Sequence, residues 1–139
     1  MNTSNKKNIV IKIGTTSIIK NGKVDPALLE SMVGLIKKFK NQYNFVIVTS
    51  GAVGLGASKL NYKTRPKSLK RLQVASAVGQ IELINQYEKI FNDQNLNVAQ
   101  VLITKNLIDD REQFINTTQA LNELLLQGII PVINENDVV

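Results

Sequence analysis

The sequence predicts an α/β domain in which a mostly parallel sheet carries helices on both faces. Short runs rich in Ile and Val, at residues 8–13, 45–49, 98–103 and 130–133, are apolar nearly throughout, as strands buried on both faces are. Longer segments with a helical period separate them. Strands alternating with helices along one chain of 139 residues imply parallel pairing and a single domain.

Each helix has local grounds. Asp25-Pro26 supplies an N-cap acceptor followed by proline at the first helical position, and Leu28, Leu29, Met32, Leu35, Ile36 and Phe39 then make a core-facing stripe. A long helix is expected over 68–91, with Leu69, Leu72, Ala75, Val78, Ile81, Tyr87 and Ile90 at roughly helical spacing. A third, over 110–127, turns Phe114, Ile115, Thr118, Leu121 and Leu125 inward and stops at Gly128. Asp109, Asp110 and Glu112 complement the dipole at its amino end. The chain shows no internal repeat, low-complexity tract or linker.

Composition excludes several chemistries. With neither cysteine nor histidine there is no disulfide framework, no thiolate metal site and no imidazole base, so catalytic triads and zinc hydrolases are out. The amino-terminal Met1-Asn2-Thr3-Ser4-Asn5-Lys6-Lys7 is polar, and no run is long enough to span a bilayer. A cytoplasmic protein without a membrane partner is expected. The net charge of +6 suits an acidic partner such as nucleotide phosphates or a dicarboxylic substrate. Lys59, Lys63, Arg65, Lys67, Lys70 and Arg71 form a basic run without an acid, but only Tyr62 offers an aromatic face. It reads as a solvated loop and helix start, with no specific nucleic acid as partner.

In open parallel sheets ligands sit beyond the carboxyl ends of the strands. Small and polar residues collect there. Lys12 precedes Gly14, Thr15, Thr16 and Ser17, which reads either as a phosphate cradle or as an edge lysine reaching solvent before an ordinary turn. Ser50, Gly51 and Ala52 follow the second strand. Gly51 and Gly56 have Walker spacing, yet Ala57 stands where that motif needs lysine, and the order of Gly51, Gly54 and Gly56 is not that of a dinucleotide-binding turn. Those glycines let a ligand approach the backbone or serve close helix–sheet packing. The fourth strand runs into Asn134, Glu135, Asn136 and Asp137, amides and carboxylates able to hold an ammonium, a hydroxyl or a metal-bound water.

Together these pieces resemble the amino-acid kinase family, in particular its glutamate 5-kinase branch. The matching stretches are Ile11-Lys12-Ile13-Gly14-Thr15-Thr16-Ser17, Val46-Ile47-Val48-Thr49-Ser50-Gly51-Ala52-Val53, Ala77-Val78-Gly79-Gln80, Ala99-Gln100-Val101-Leu102-Ile103-Thr104 and Pro131-Val132-Ile133-Asn134-Glu135-Asn136-Asp137. The resemblance implies a three-layer sandwich and phosphoryl transfer from ATP, with Mg²⁺ carried by the nucleotide and no protein metal site. The acceptor would be the side-chain carboxylate of L-glutamate, giving L-glutamyl 5-phosphate on the way to proline. It assigns Lys12 to the transferring phosphoryl group, Gly14, Thr15, Thr16 and Ser17 to ATP phosphate, and Ser50, Gly51, Ala52, Asn134 and Asp137 to glutamate.

It further implies proline as a feedback inhibitor and a homo-oligomer, dimer or tetramer. Residues 1–139 would be the N-terminal, substrate-side portion of the kinase domain, with the ATP-binding half absent, and would not turn over alone. Family members acting on N-acetylglutamate, carbamate, aspartate or UMP are the near alternatives, and a non-catalytic glutamate- or proline-binding module the distant one. A carboxylate nucleophile is already ionised at neutral pH, so lack of histidine costs this chemistry nothing. The scheme does require the Lys12 ammonium to face a pocket shared by Ser50 and Asp137.

Overall fold

The structure, a computed structural model, describes residues 5–139. Met1 to Ser4, which begin the polar amino-terminal segment, lie outside the described residues. The chain runs β1 (Lys7–Lys12), α1 (Thr15–Ile18), β2 (Ile19–Lys20), β3 (Lys23–Val24), α2 (Pro26–Phe39), β4 (Tyr43–Val48), α3 (Ala52–Lys59), α4 (Leu69–Asn92), β5 (Val98–Ile103), α5 (Arg111–Leu126) and β6 (Ile130–Glu135). β1, β4, β6 and β5 lie side by side in a four-stranded sheet, paired in parallel throughout.

The central strand β4 shows why its sequence is continuously apolar. Phe45 and Ile47 join the main core beneath α2 and α4, whereas Val46 meets Leu125 and Ile133 beneath α5. Both faces of this strand are therefore dry. The second face is thinly covered, because among the described residues α5 is the one helix on it and Val10 of the edge strand β1 stays exposed.

Helix boundaries follow the capping chemistry. The Asp25 carboxylate accepts from Ala27 N at 3.1 Å with Pro26 at the first position, and Asp110 accepts from Gln113 N at 3.0 Å. Lys20, 2.9 Å from Asp25, holds that carboxyl below its ordinary range against the opposing effect of desolvation. At the other end of α5 the Ile129 N–H reaches Leu124 O and the Gly128 N–H reaches Leu125 O, a Schellman closure that needs the left-handed φ of +71° at Gly128. Asn21 and Gly22, both at positive φ, close the β2–β3 hairpin.

The inward stripes differ from the expected ones. On α4 the buried line is Ala75, Gly79, Leu83, Tyr87 and Phe91, each four residues on from the last, with Ser76 beside it, while Leu69 and Ile81 are 69% and 63% exposed. Hydropathy alone misplaces this seam because its upper half is glycine, alanine and serine. Leu35 on α2 and Phe114 and Ile115 on α5 also face solvent, and of the expected α5 stripe only Leu125 is buried. A lone helix over one flank of the sheet has only one end of its face to bury.

Close approach explains the small residues. A Cβ on Gly56 would overlap the Ala75 carbonyl oxygen, and one on Gly79 would overlap the carbonyl oxygen of Ala52 and the Gly56 nitrogen at 2.5 Å. Gly56 thus serves helix–helix rather than helix–sheet packing, whereas a Cβ on Gly54 would meet only the Thr15 and Ile19 side chains at ordinary contact distance. Gly34, mid-helix in α2, has nothing within 4 Å of such a Cβ. The same substitution should therefore act with opposite signs. Gly79→Ala is expected to lower unfolding free energy by about 3 kcal/mol through overpacking, and Gly34→Ala to raise it by about 0.8 kcal/mol through helix propensity. Urea denaturation of both variants checks the pair, and equal signs would contradict the packing described.

Candidate functional site

Beyond the carboxyl ends of β4 and β6 lies a cleft of about 350 Å³. Thr15 borders it from the segment after β1, Ser50, Gly51 and Ala52 from the turn into α3, and Asn134 and Asp137 from the end of β6. Six of the residues expected to bind ligand are thus brought together. Lys12, Gly14, Thr16 and Ser17 do not line it. Lys12 is exposed at the carboxyl end of the edge strand β1, opposite Val48, which itself lines the cleft.

Local structure also departs from the sequence reading. Gly14, Thr15, Thr16 and Ser17 are not an open turn, because Thr15–Ile18 is one helical turn whose Ser17 and Ile18 N–H groups bond Gly14 O. Asn134 and Glu135 do not follow the last strand but belong to it, opposite Leu102 and Ile103. Asn134 is 7% exposed and largely satisfied. Its Oδ1 accepts from the Glu135 N–H at 2.9 Å and its Nδ2 donates to Gln80 Oε1 at 2.8 Å.

The β4 turn is held from below. The buried Tyr87 hydroxyl donates to Thr49 Oγ1 at 2.9 Å, and Thr49 Oγ1 donates to the Ser50 carbonyl at 3.3 Å. Burial pushes the Tyr87 phenol up to about 12, against the smaller opposite effect of its bond to Thr49, so it stays a neutral donor at physiological pH. Next comes Gly51 at φ +107°, a left-handed backbone suited to glycine. No side chain caps α3, whose first ladder amide is Leu55 N. Its leading N–H groups, at Ala52, Val53 and Gly54, border the cleft and suit an anion.

One of the charged groups here escaped the sequence reading. Arg65, assigned to a solvated loop, lines the cleft, and Glu135 joins it while pairing loosely with Lys105 at 3.7 Å. Nothing singled Arg65 out of its basic run, because only the fold brings it opposite Asp137. Desolvation raises the Asp137 carboxyl above its ordinary range, the Glu135 charge adds to this, and Lys105 and Arg65 oppose it. A carboxylate short of positive partners is suited to an ammonium group.

Among the described residues no cluster of His, Cys, Asp and Glu side chains could hold a metal ion, and no helix is long and apolar enough to cross a membrane. A cavity of about 260 Å³ lies at the opposite edge of the sheet, between Lys6, Lys40, Tyr43, Asn95 and Ile129. There the Lys6 ammonium is committed to the Lys40 carbonyl at 2.8 Å. The chemistry therefore gathers at the carboxyl edge.

Comparison with known proteins defines the class: residues 7–139 match the amino acid kinase family, and the chain belongs to it. Among individual proteins it is similar to the glutamate 5-kinase of Prochlorococcus marinus strain MIT 9301, 44% identical over 137 residues that make up 96% of this chain and 38% of that protein. The glutamate 5-kinase of Moorella thermoacetica is 41% identical over 138 residues, 98% of this chain and 36% of that protein. The chain thus spans little more than a third of the length of these curated relatives. In fold it is similar to the T. acidophilum isopentenyl phosphate kinase, with TM-score 0.54, 13% identity and coverage of 92% of this chain and 54% of that one. The UMP kinase from Ureaplasma parvum gives TM-score 0.51 at 18% identity, covering 93% and 56%. The parallel sheet with helices on both faces is the family's architecture.

Asp137 carries a pH prediction. A raised folded-state value means that the stability contributed by its protonated form is complete below the ordinary value of 3.8 and is lost as pH climbs through the raised value. Asp137→Asn should match the parent protein in acid and be more stable than it near neutrality. Urea denaturation across the pH range reads the difference, and a variant less stable at neutral pH would contradict it.

Proposed function

We propose that the chain takes part in phosphoryl transfer from ATP to the side-chain carboxylate of L-glutamate, giving L-glutamyl 5-phosphate, the first step toward proline. The observation that carries this reading is the convergence of Ser50, Gly51, Ala52, Asn134 and Asp137 on one cleft. The names of the similar glutamate 5-kinases support it. Asp137 suits the ammonium of an amino acid. Arg65 and the open amides of α3 suit its carboxylates.

The transfer brings two anions together, so the protein's part is electrostatic. In this reading Lys12 neutralises charge on the transferring phosphoryl group, with Gly14, Thr15, Thr16 and Ser17 beside the ATP phosphates. Mg²⁺ would travel with the nucleotide and supply further charge neutralisation. Because the cleft does not include Lys12, the reading requires the phosphoryl group to lie between the cleft and the end of β1.

We extend the proposal to the chain's role in the longer protein. It supplies the substrate-side portion of the kinase domain, the nucleotide being held mainly by residues beyond these 139, in keeping with the 38% of the relatives' length that it spans. Proline inhibition by competition for the same cleft, a homo-oligomeric assembly and a cytoplasmic setting belong to the same reading. A glutamate- or proline-binding module without turnover is the second reading, favoured by the position of Lys12 outside the cleft.

The 139-residue chain is expected to release no ADP in a coupled assay with L-glutamate, ATP and Mg²⁺, and steady turnover would overturn the division of labour. In the longer enzyme, Lys12→Ala should slow kcat about a hundredfold, as loss of one electrostatic donor does. Asp137→Asn should instead raise KM for L-glutamate with KM for ATP nearly unchanged. An unaltered kcat for the first, or equal losses for both substrates in the second, would remove those roles.

A further inference from the structure

We propose that Gln80 is a positioning residue for the cleft, holding as acceptor the nitrogen of the Asn134 amide whose oxygen the main chain pins. The proposal rests on the reading of the cleft as a glutamate site. Three side-chain amides form one chain across α4, β5 and β6. Asn134 Nδ2 donates to Gln80 Oε1 at 2.8 Å, and Gln80 Nε2 donates to Gln100 Oε1 at 2.7 Å.

Side-chain amides can in principle reverse, but this chain has an anchor that cannot. The Glu135 backbone N–H donates to Asn134 Oδ1 at 2.9 Å, so the oxygen of that amide is pinned by the main chain. Its nitrogen must then face Gln80, where it needs an acceptor. A reversed Asn134 would set its NH₂ against the Glu135 N–H and its oxygen against Gln80 Oε1, losing both bonds. What Asn134 has left for a ligand is the second hydrogen of Nδ2 and a second lone pair on Oδ1.

Gln80 is well placed to hold that nitrogen. Its neighbour Gly79 abuts the Ala52 carbonyl and Gly56, so the backbone of α4 is seated firmly at this level. Gln100, at the other end of the chain, is exposed and free to reverse. Acceptance by Gln80 is therefore the demanding link, and donation to Gln100 the adaptable one.

Three variants separate this role from packing and from charge. Gln80→Glu retains an acceptor toward Asn134, Gln80→Leu removes it, and Gln80→Lys replaces it with a donor. Side-chain amide resonances of Asn134 and calorimetric titration with L-glutamate are read on this chain, with melting temperature as the fold control. Gln80→Glu is expected to keep the Asn134 resonances in place. Leu and Lys should shift them and weaken L-glutamate binding about tenfold, the loss expected of one hydrogen bond, with unfolding still cooperative and the melting temperature lowered by only a few degrees as Asn134 loses its acceptor.

For an anionic ligand this order opposes the one that charge alone dictates, in which lysine binds best and glutamate worst. Resonances unmoved in the Leu and Lys variants, or affinities that follow charge, would overturn the proposal. If the parent chain takes up no L-glutamate, the glutamate reading of this chain fails, and the resonances still decide the role of Gln80.

Discussion

The contact on which the rest depends is the glycine-mediated approach of α3 to α4. Gly56 sits against the Ala75 carbonyl, and Gly79 against that of Ala52, at separations no side chain would permit. This contact fixes the start of α3, and with it the Ser50–Gly51 turn and the amides that border the cleft. It also seats α4 so that Tyr87 reaches Thr49 and Gln80 reaches Asn134. One helix thus controls the ends of both central strands.

That arrangement favours rigidity over accessible polarity. Thr49 and Asn134 are both buried polar residues at the strand ends, and both have their groups engaged from α4 rather than left open. Unpaired, each would carry a desolvation cost of about 1–3 kcal/mol. Paired, they turn the floor of the cleft into a fixed surface. Asp137 is the contrasting case, because its carboxyl is desolvated without a close cation and so is disfavoured in its charged form. A ligand ammonium would relieve that penalty, whereas the folded chain alone bears it.

Much of the fold was legible in the sequence because its signals are local. Four apolar strands, the Asp25 cap and the stop at Gly128 lie where the residue pattern puts them. The α4 seam was not legible, because burial there is decided by which residues are small enough for a second helix, and hydropathy does not score that. Of the site, Ser50, Gly51, Ala52, Asn134 and Asp137 could be named from their places at strand ends. Arg65 could not, because only the path of the loop after α3 carries it back over the cleft.

The position of Lys12 bears on how the two reactants would be kept apart. Repulsion between a dicarboxylate and a polyphosphate falls with distance and with intervening positive or donor groups. In this fold the cleft lies over β4 and β6, while the lysine stands at the end of the edge strand β1, beside β4. Thr15, the one member of the Gly14–Ser17 group that lines the cleft, is the link between them. On the proposed function, acceptor binding and phosphoryl stabilisation would fall to adjacent strands. The requirement that the proposed function then sets is geometric: the reacting carboxylate would have to extend from Asp137 toward β1. A side chain with a carboxylate distant from its ammonium meets that requirement, and a shorter acid does so less well.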